Sequence, residues 1–473
     1  MRGVNERRYF GTDGVRGCAG ELPMTAPFAL RLGAATTEQL RALGTARPSV
    51  VVGQDTRASS AMLTAALAAG LSSRGADVIE LGVAPTPAVA HLVTALGATA
   101  GAMVSASHNP FEDNGIKLFD GRGFKLTDGD ELAIENRLAA LSATDDLGLA
   151  ACTHDGVGRV RRYAHEEGHY LRHLLATAPY LDGLRVGLDA AHGAAWQIAP
   201  KLFRQIGARL DVINAAPDGR NINVACGSTH PRAIIERVAL SGLDVGVTFD
   251  GDADRVLMAD ARGRLVTGDH MLAICAVVRR ERTVVATSMT NLGVERWLEA
   301  HGVKLERVQV GDRYVLERLM ADGLRLGGEQ SGHLLFLDKA TTGDGILAAL
   351  QVLTACRTSG VTLDAWFDQI PIYPQRIESV AVGAGERDAV ASDERVLQAL
   401  GEARAALSEH GRVDVRPSGT EQVVRAMVEA QDAETVERVL SELTATIKRA
   451  AAGVPASTLP LPARAGDDGS VRR

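Results

Sequence analysis

"SVVVGQDTRASSAMLTAALAAGLSSRGADVIELG", Ser49 to Gly82, reads as a buried apolar strand, a polar loop, a helix rich in Ala and Leu, a glycine turn and a second strand. A strand, a helical crossover and another strand in that order imply parallel pairing with a right-handed connection. The order returns in "RVGLDAAHGAAWQIAPKLFRQIGARLDVIN", Arg185 to Asn214, with GAR at the turn where the first copy has GAD. It returns again in "TVVATSMTNLGVERWLEAHGVKLERVQVG", Thr283 to Gly311, with HGV at the turn. Units spaced by roughly a domain's length point to three related α/β domains, although the bare units also suit any α/β protein.

At 473 residues the chain exceeds a single core, since cores stop growing near ~250–300 residues. After Pro374 the texture changes. "RIESVAVGAG" is strand-like, and "SDERVLQALGEARAALSEHG" is an amphipathic helix with Ser392 as N-cap and Arg395 at the capping-box position. "RVDVRPSGTEQVVRAMVEA" reads as two strands around a loop, and a last helix opens at Asp432. The expected architecture is α/β: three related α/β domains with mixed sheets (1–155, 156–257, 258–373) plus a smaller C-terminal α+β domain (374–450) around a central cleft. The tail 451–473, rich in Pro, Gly, Ala and Ser, is expected to be disordered.

Composition narrows the partners. Net charge is -7 with no long block of one sign, which gives no reason to propose nucleic acid or an anionic membrane. Aromatics at 4% are too sparse for a row of stacking platforms, so small substrates fit better. The five cysteines, Cys18, Cys152, Cys226, Cys275 and Cys356, form no CxxC pair, which suits a reducing compartment. With no apolar leader and no run of about 18 apolar residues, the expected location is cytoplasmic.

Four stretches carry chemistry. In "LDVGVTFDGDADRVLMAD", an apolar strand delivers Asp250, Asp252 and Asp254 with small spacers between them. Like charges so close repel unless a cation sits among them, and an all-oxygen site suits Mg²⁺. An EF-hand would need Gly and Glu where Arg255 and Ala261 stand, and an aspartyl-phosphatase motif would need Thr or Val at Asp254, which leaves a solvated acidic turn as the competitor. "GAMVSASHNP", Gly101 to Pro110, is a strand running into a loop; without a G-x-S-x-G elbow it reads alone as a polar turn. "RPSGTE", Arg416 to Glu421, with Arg425 beyond, offers guanidinium, hydroxyl and backbone donors to an anion, or simply turns between two strands. "GGEQSGH", Gly327 to His333, sets Glu329 and Ser331 between glycines, suited to sugar hydroxyls or to a hairpin turn.

Together "SASHNP", "DGDADR", "GGEQSGH" and "RPSGTE" resemble, in order, the motifs of the α-D-phosphohexomutase superfamily, over Tyr9 to about Ala450. The opening "YFGTDGVRG" and Gln330 look like its glucosamine branch; the phosphomannomutase/phosphoglucomutase branch usually has Met at that place. Gln422 departs from the branch's "SGTEP", and Gln does not fix the backbone as Pro does. The resemblance implies that Ser107, not Ser105, carries a transferable phosphoryl group, and that one Mg²⁺ per active site is held by phosphoserine with Asp250, Asp252 and Asp254. It implies Arg255 and Arg16 on the phosphate side, and His108 and Lys117 in proton transfer. Lys117 can serve as a base if cationic neighbours and burial lower its pKa. Glu329 and Ser331 would hold the C3 and C4 hydroxyls, and Arg416, Ser418, Gly419, Thr420 and Arg425 the phosphate.

The implied reaction is reversible conversion of glucosamine 6-phosphate to glucosamine 1-phosphate through a hexosamine 1,6-bisphosphate, feeding UDP-N-acetylglucosamine and cell-wall synthesis. The alternative keeps the mechanism on glucose or mannose phosphates, as in the phosphomannomutase/phosphoglucomutase branch. A silent sugar-phosphate sensor would show a damaged nucleophile or triad, and both are intact. A homodimer is compatible with the resemblance.

Overall fold

The computed structural model describes residues 7–453 except 12, 143–151, 164–165, 384 and 419–421. The chain divides into two compact units, Met1–Thr290 with Trp297–Ile370, and Asn291–Arg296 with Pro371–Arg473.

The first unit contains three mixed sheets. Strands β1 (Val15–Cys18), β2 (Ser49–Gln54), β3 (Asp77–Val83), β4 (Ala100–Val104), β5 (Asp113–Asp120) and β6 (Val160–Arg162) form the first, in the order β1-β5-β4-β2-β3-β6. β5 runs antiparallel to both its neighbours, and the other pairings are parallel. Helices α1 (Ala26–Ala42), α2 (Ser60–Ser73), α3 (Thr86–Ala95) and α4 (Asp128–Ser142) accompany it, so Ser49–Gly82 is the β2–α2–β3 crossover. The unbroken valines of β2 follow from burial on both faces. Val50 and Val52 pack with Leu63 and Leu67, while Val51 packs with Val89 and Val93 of α3. α1 and α2 cross at two glycines: a Cβ on Gly70 would lie 1.9 Å from Leu30 O, and one on Gly33 2.3 Å from Leu67 O. Any side chain there would push the helices apart.

β7 (Arg185–Asp189), β8 (Arg209–Ile213), β9 (Val245–Phe249), β10 (Val256–Asp260) and β11 (Leu265–Val266) form the second sheet, in the order β11-β10-β9-β7-β8. Its helices are α5 (Glu166–Thr177), α6 (Ile198–Gln205) and α7 (Arg232–Ser241), and β7–α6–β8 is the second copy of the crossover. The third sheet orders β12 (Thr283–Thr287), β13 (Lys304–Val308), β14 (Leu326–Gly328) and β15 (Leu334–Phe336) as β13-β12-β14-β15. With it come α8 (Gly268–Val278), α9 (Leu292–Ala300), α10 (Asp312–Asp322), α11 (Gly345–Ser359) and α12 (Leu363–Gln369), and β12–α9–β13 is the third copy. Among the described residues no single helix is long and apolar enough to cross a membrane. The apolar α8 and α11 are instead buried along most of their length.

In the second unit, β16 (Gln375–Ala381), β17 (Gly411–Pro417) and β18 (Val423–Ala430) make an antiparallel sheet ordered β16-β18-β17. α13 (Arg387–Ala391), α14 (Glu394–Leu407) and α15 (Ala433–Gly453) complete it, and α15 buries Val436, Val439, Leu440, Leu443 and Ile447 against the sheet. Two expectations need correction. Ser392 ends α13, and Asp393 is the N-cap of α14, its carboxylate accepting from Arg395 N at 2.9 Å. The ionised side chain serves the positive end of a helix better than a hydroxyl one residue away. The tail was expected to be disordered from Ala451, yet Ala451–Gly453 continue α15; residues 454–473 lie outside the described residues. All five cysteines are free thiols.

Candidate active site

Ser107 follows β4 with φ of 54°, in the left-handed region that residues other than glycine rarely adopt. A buried network holds it there. Ser105 Oγ donates to Asp55 at 2.6 Å and accepts from Ser107 N at 2.9 Å. The Arg57 guanidinium pairs with Asp55 at 2.8 Å and donates to the carbonyls of Ser107 (2.9 Å), Asn109 (2.8 Å) and Asp113 (3.0 Å), and to Pro110 O. Asn223 Nδ2 adds a bond to Ser107 O at 2.9 Å. Ser105 is thus structural, while Ser107 Oγ is turned the other way, donating to Asp250 Oδ2 at 2.6 Å and lying 3.2 Å from His108 Nδ1.

The β9–β10 hairpin brings Asp250, Asp252 and Asp254 together: each offers an oxygen within 4.8 Å of the others, and all three are buried. Gly251 between them is set by close approach, since a Cβ there would lie 2.5 Å from Ser107 O. Burial, then the charges of Asp254 and Asp252, push Asp250 well above the usual carboxylate range. For Asp254, burial is outweighed by Lys117 and then His333, which hold it well below that range. Asp252 Oδ1 is buried with no protein hydrogen-bond partner. Three clustered carboxylates with such an oxygen are a donor set that fits a hard divalent cation.

Lys117, on β5, is buried with its Nζ 2.9 Å from Asp252, 3.3 Å from Asp254 and 3.1 Å from Asp13. Burial would release its proton, but Asp13, Asp252 and Asp254 outweigh it and raise the pKa well above the ordinary value. This corrects the condition set for Lys117 as a base, because its neighbours are anionic rather than cationic. His108 is the opposite case: burial, then Arg255 and Arg16, lower it to about 4, so its imidazole is neutral near pH 7.

A cleft of about 580 Å³ in the first unit is lined by Arg16, His108, Asp254, Arg255, Glu329 and Ser331 among others. The Nε donors of Arg16 and Arg255 are buried without a hydrogen-bond partner, as suits anion recognition. Glu329 Oε1 accepts from Gly311 N at 3.1 Å, in the β14–β15 hairpin. A larger cavity of about 720 Å³, walled by Leu81, Pro85, Tyr163 and Trp196, contains none of these site residues.

Comparison with known proteins decides the family. The phosphoglucomutase/phosphomannomutase α/β/α domains I, II and III match residues 7–145, 168–263 and 267–373, and the C-terminal domain of that family matches 380–446. The phosphoglucosamine mutase of Deinococcus radiodurans is 49% identical over 95% of this chain and 100% of its own length. That of Thermus thermophilus is 50% identical over 95% and 100%. This chain belongs to the phosphoglucosamine mutase family of α-D-phosphohexomutases. Among solved structures, a phosphoglucomutase/phosphomannomutase family protein from Burkholderia thailandensis shares the fold with a TM-score of 0.79 at 23% identity, covering 96% of this chain and 99% of its own. The N-acetylphosphoglucosamine mutase of Aspergillus fumigatus, solved with GlcNAc-6P and magnesium, gives 0.65 at 17% identity over 94% and 96%. The chain is thus a sugar-phosphate mutase, and the family implies a metal ion, for which the aspartate triad is the fitting site.

In this phosphohexomutase the remaining expected residues fall in the second unit. Arg416 and Arg425 stand directly opposite each other on β17 and β18, and Ser418 is buried at the end of β17, with Arg387 donating to its carbonyl. Gly419 and Thr420 lie outside the described residues. Gln422, in place of the branch's proline, accepts from Val382 N at 3.0 Å through its carbonyl.

Sequence reasoning missed several residues around the mutase site. His333 is buried with Nδ1 3.8 Å from Asp254 and Nε2 3.6 Å from Asp312; burial is outweighed by Asp254 and then Asp312, which raise its pKa. Asp13 is shared between Lys117 and Lys125, and Lys125 also reaches Asp312. Asp13 lies in YFGTDGVRG and His333 in GGEQSGH, but the partners that define them, Lys117 and Asp312, are distant or unmarked in the sequence.

Proposed function

We propose that this enzyme interconverts glucosamine 6-phosphate and glucosamine 1-phosphate through a phosphoryl group carried on Ser107. The activity named for relatives about half identical over their whole lengths supports the substrate. The observation that carries the mechanism is the 2.6 Å bond from Ser107 Oγ to Asp250 inside the buried triad. Asp250, Asp252, Asp254 and the phosphorylated Ser107 would hold Mg²⁺, which would supply positive charge to the phosphoryl oxygens.

In the forward direction the sugar O1 hydroxyl attacks phosphorus, the Oγ–P bond breaks, and the hydroxyl proton leaves to a neutral base. His108, neutral near pH 7 and beside Ser107 Oγ, is the group suited to take it. The 1,6-bisphosphate reorients, Ser107 Oγ attacks the 6-phosphoryl, and the bond to O6 breaks, O6 taking the proton held by His108 and phosphoserine being restored. Lys117 contributes a fixed positive charge, Arg16 and Arg255 orient phosphate, and Glu329 with Ser331 takes the ring hydroxyls. Arg416, Ser418, Gly419, Thr420 and Arg425 grip whichever phosphate is not reacting, because phosphate is what both poses share. We assign domains to 1–155, 156–257, 258–373 and 374–450, and a cytoplasmic role at the entry to amino-sugar nucleotide and peptidoglycan precursor synthesis.

The rival substrates are glucose and mannose phosphates. Gln330, the branch marker, does not line the cleft; its carbonyl accepts from Gly268 N at 3.0 Å. The glucosamine reading therefore rests on the relatives. Turnover with Mg²⁺ and catalytic hexose 1,6-bisphosphate on glucosamine 6-phosphate, glucose 6-phosphate and mannose 6-phosphate tests it. Strong preference for the amino sugar is expected, and equal or faster turnover of a neutral sugar would overturn the substrate while leaving the mechanism.

A further inference from the structure

Three consecutive carbonyls of the carboxylate loop each accept an N–H from a different part of the first unit. Gly251 O takes Ala194 (2.7 Å), Asp252 O takes Thr86 (3.0 Å) and Ala253 O takes Gly345 (3.0 Å). Thr86 and Gly345 are the first residues of α3 and α11. The N–H groups of a first helical turn have no carbonyl within their own helix and must find one elsewhere. Two of these supports use backbone alone. Thr86 adds its side chain, donating from Oγ1 to Asp252 Oδ2 at 2.6 Å, with both residues 0% exposed. A hydroxyl at a helix start commonly bonds the helix's own backbone, but α3 has Pro85 at its cap and no side-chain cap bond.

The two oxygens of Asp252 are consequently unequal. Oδ2 accepts from Thr86 and, at 2.9 Å, from Lys117, whereas Oδ1 is buried with no protein hydrogen-bond partner. An unpaired buried acceptor is costly unless another group binds it.

We propose that Thr86 is a positioning residue for cation binding, its N–H and hydroxyl together fixing the Asp252 carboxylate so that Oδ1 is presented to the ion. The inference rests on the reading of the triad as a cation site. Partners that orient a metal ligand from behind typically contribute about 10–100-fold in metal affinity. The near-isosteric Thr86→Val keeps the N–H bond and removes the hydroxyl bond, while Thr86→Ser keeps both.

Full-length wild type and both variants are titrated with Mn²⁺, followed by electron paramagnetic resonance, and melted in EDTA and in Mg²⁺. We expect Thr86→Val to bind Mn²⁺ at least about 10-fold more weakly and to lose much of the Mg²⁺-dependent rise in Tm, with Thr86→Ser close to wild type. A merely structural hydroxyl would lower Tm equally in EDTA and Mg²⁺ and leave Mn²⁺ affinity alone. If Thr86→Val does not fold, Thr86→Ala against Thr86→Ser isolates the same hydroxyl. Variants lacking the hydroxyl that bind Mn²⁺ as tightly as wild type overturn the inference by itself. Wild-type protein that binds no Mn²⁺ overturns the cation reading beneath it.

Discussion

Arg57 tests whether the Ser107 loop is held in its strained shape by the buried network around it. Its guanidinium and the Asp55 carboxylate are both 0% exposed, and the same fork donates to the carbonyls of Ser107, Asn109, Pro110 and Asp113. Arg57→Ala would strand the Asp55 charge, and breaking a buried pair from one side costs about 3–5 kcal/mol. The carbonyls lose less, because Asn223 Nδ2 still reaches those of Ser107 (2.9 Å) and Asn109 (3.2 Å), and Asp113 N that of Pro110 (3.2 Å). Against a total stability of ~5–15 kcal/mol, that variant stands near unfolding. Arg57→Lys is the sharper probe: the charge stays beside Asp55, but a single ammonium lacks the planar fork that reaches several carbonyls at once. Freed on one side, Ser107 should leave its φ of 54° and shift Oγ from Asp250. Displacement of a reacting group on the scale of 1 Å can cost about 10²-fold in rate, so kcat should fall by that order while KM for the sugar phosphate moves little. The assay is steady-state mutase turnover beside a urea midpoint for wild type and Arg57→Lys. A folded Arg57→Lys with unchanged kcat would refute the claim that this network positions the nucleophile.

Arg416→Ala should raise KM for the 6-phosphate and the 1-phosphate together, by roughly 10–100-fold if one charge-assisted contact of ~1.5–3 kcal/mol is lost; an effect on one isomer alone, seen by assaying both directions, would contradict a phosphate grip shared by two poses. His270 gives a pH prediction: burial, then Arg264, lower it from 6.5 to about 4, so it folds as neutral imidazole. Its contribution is complete above 6.5 and is lost as pH falls towards 4, because the unfolded chain takes up the proton first. His270→Gln should therefore flatten the decline in urea midpoint across that window, and an unchanged slope would show that His270 does not titrate with folding.

The crossovers were legible because each is local: an apolar run, a helix rich in Ala and Leu and a glycine turn suffice to read β2–α2–β3 without knowing what surrounds it. The triad was legible for a different reason, since alternating carboxylates after an apolar strand demand compensation wherever they lie. Lys117 was placed at the site, but its protonation depends on Asp13, Asp252 and Asp254, all of which arrive from more than a hundred residues away. Asp55 and Arg57 looked like ordinary loop residues, and only tertiary packing makes them a buried pair beneath Ser107. Thr86 carried no signal, as a threonine beside prolines at a helix start is an unremarkable sequence. The cap of α14 failed on the smallest scale: Ser392 and Asp393 are adjacent capping residues, and one residue of phase decides which meets the first free N–H.

In the proposed reaction every phosphoryl group passes through Ser107, whose Oγ lies against the carboxylate triad. The decisive measurement is peptide mass mapping of the protein after exposure to a hexose 1,6-bisphosphate with Mg²⁺, repeated after turnover of glucosamine 6-phosphate whose phosphate carries ¹⁸O. One phosphoryl group should appear on the Ser107 peptide, be replaced by the ¹⁸O-labelled group during turnover, and be absent in Ser107→Ala. A phosphoryl group on Ser105 or another residue, or a phosphorylated Ser107 that never takes up the label from the substrate, would rule Ser107 out as the carrier.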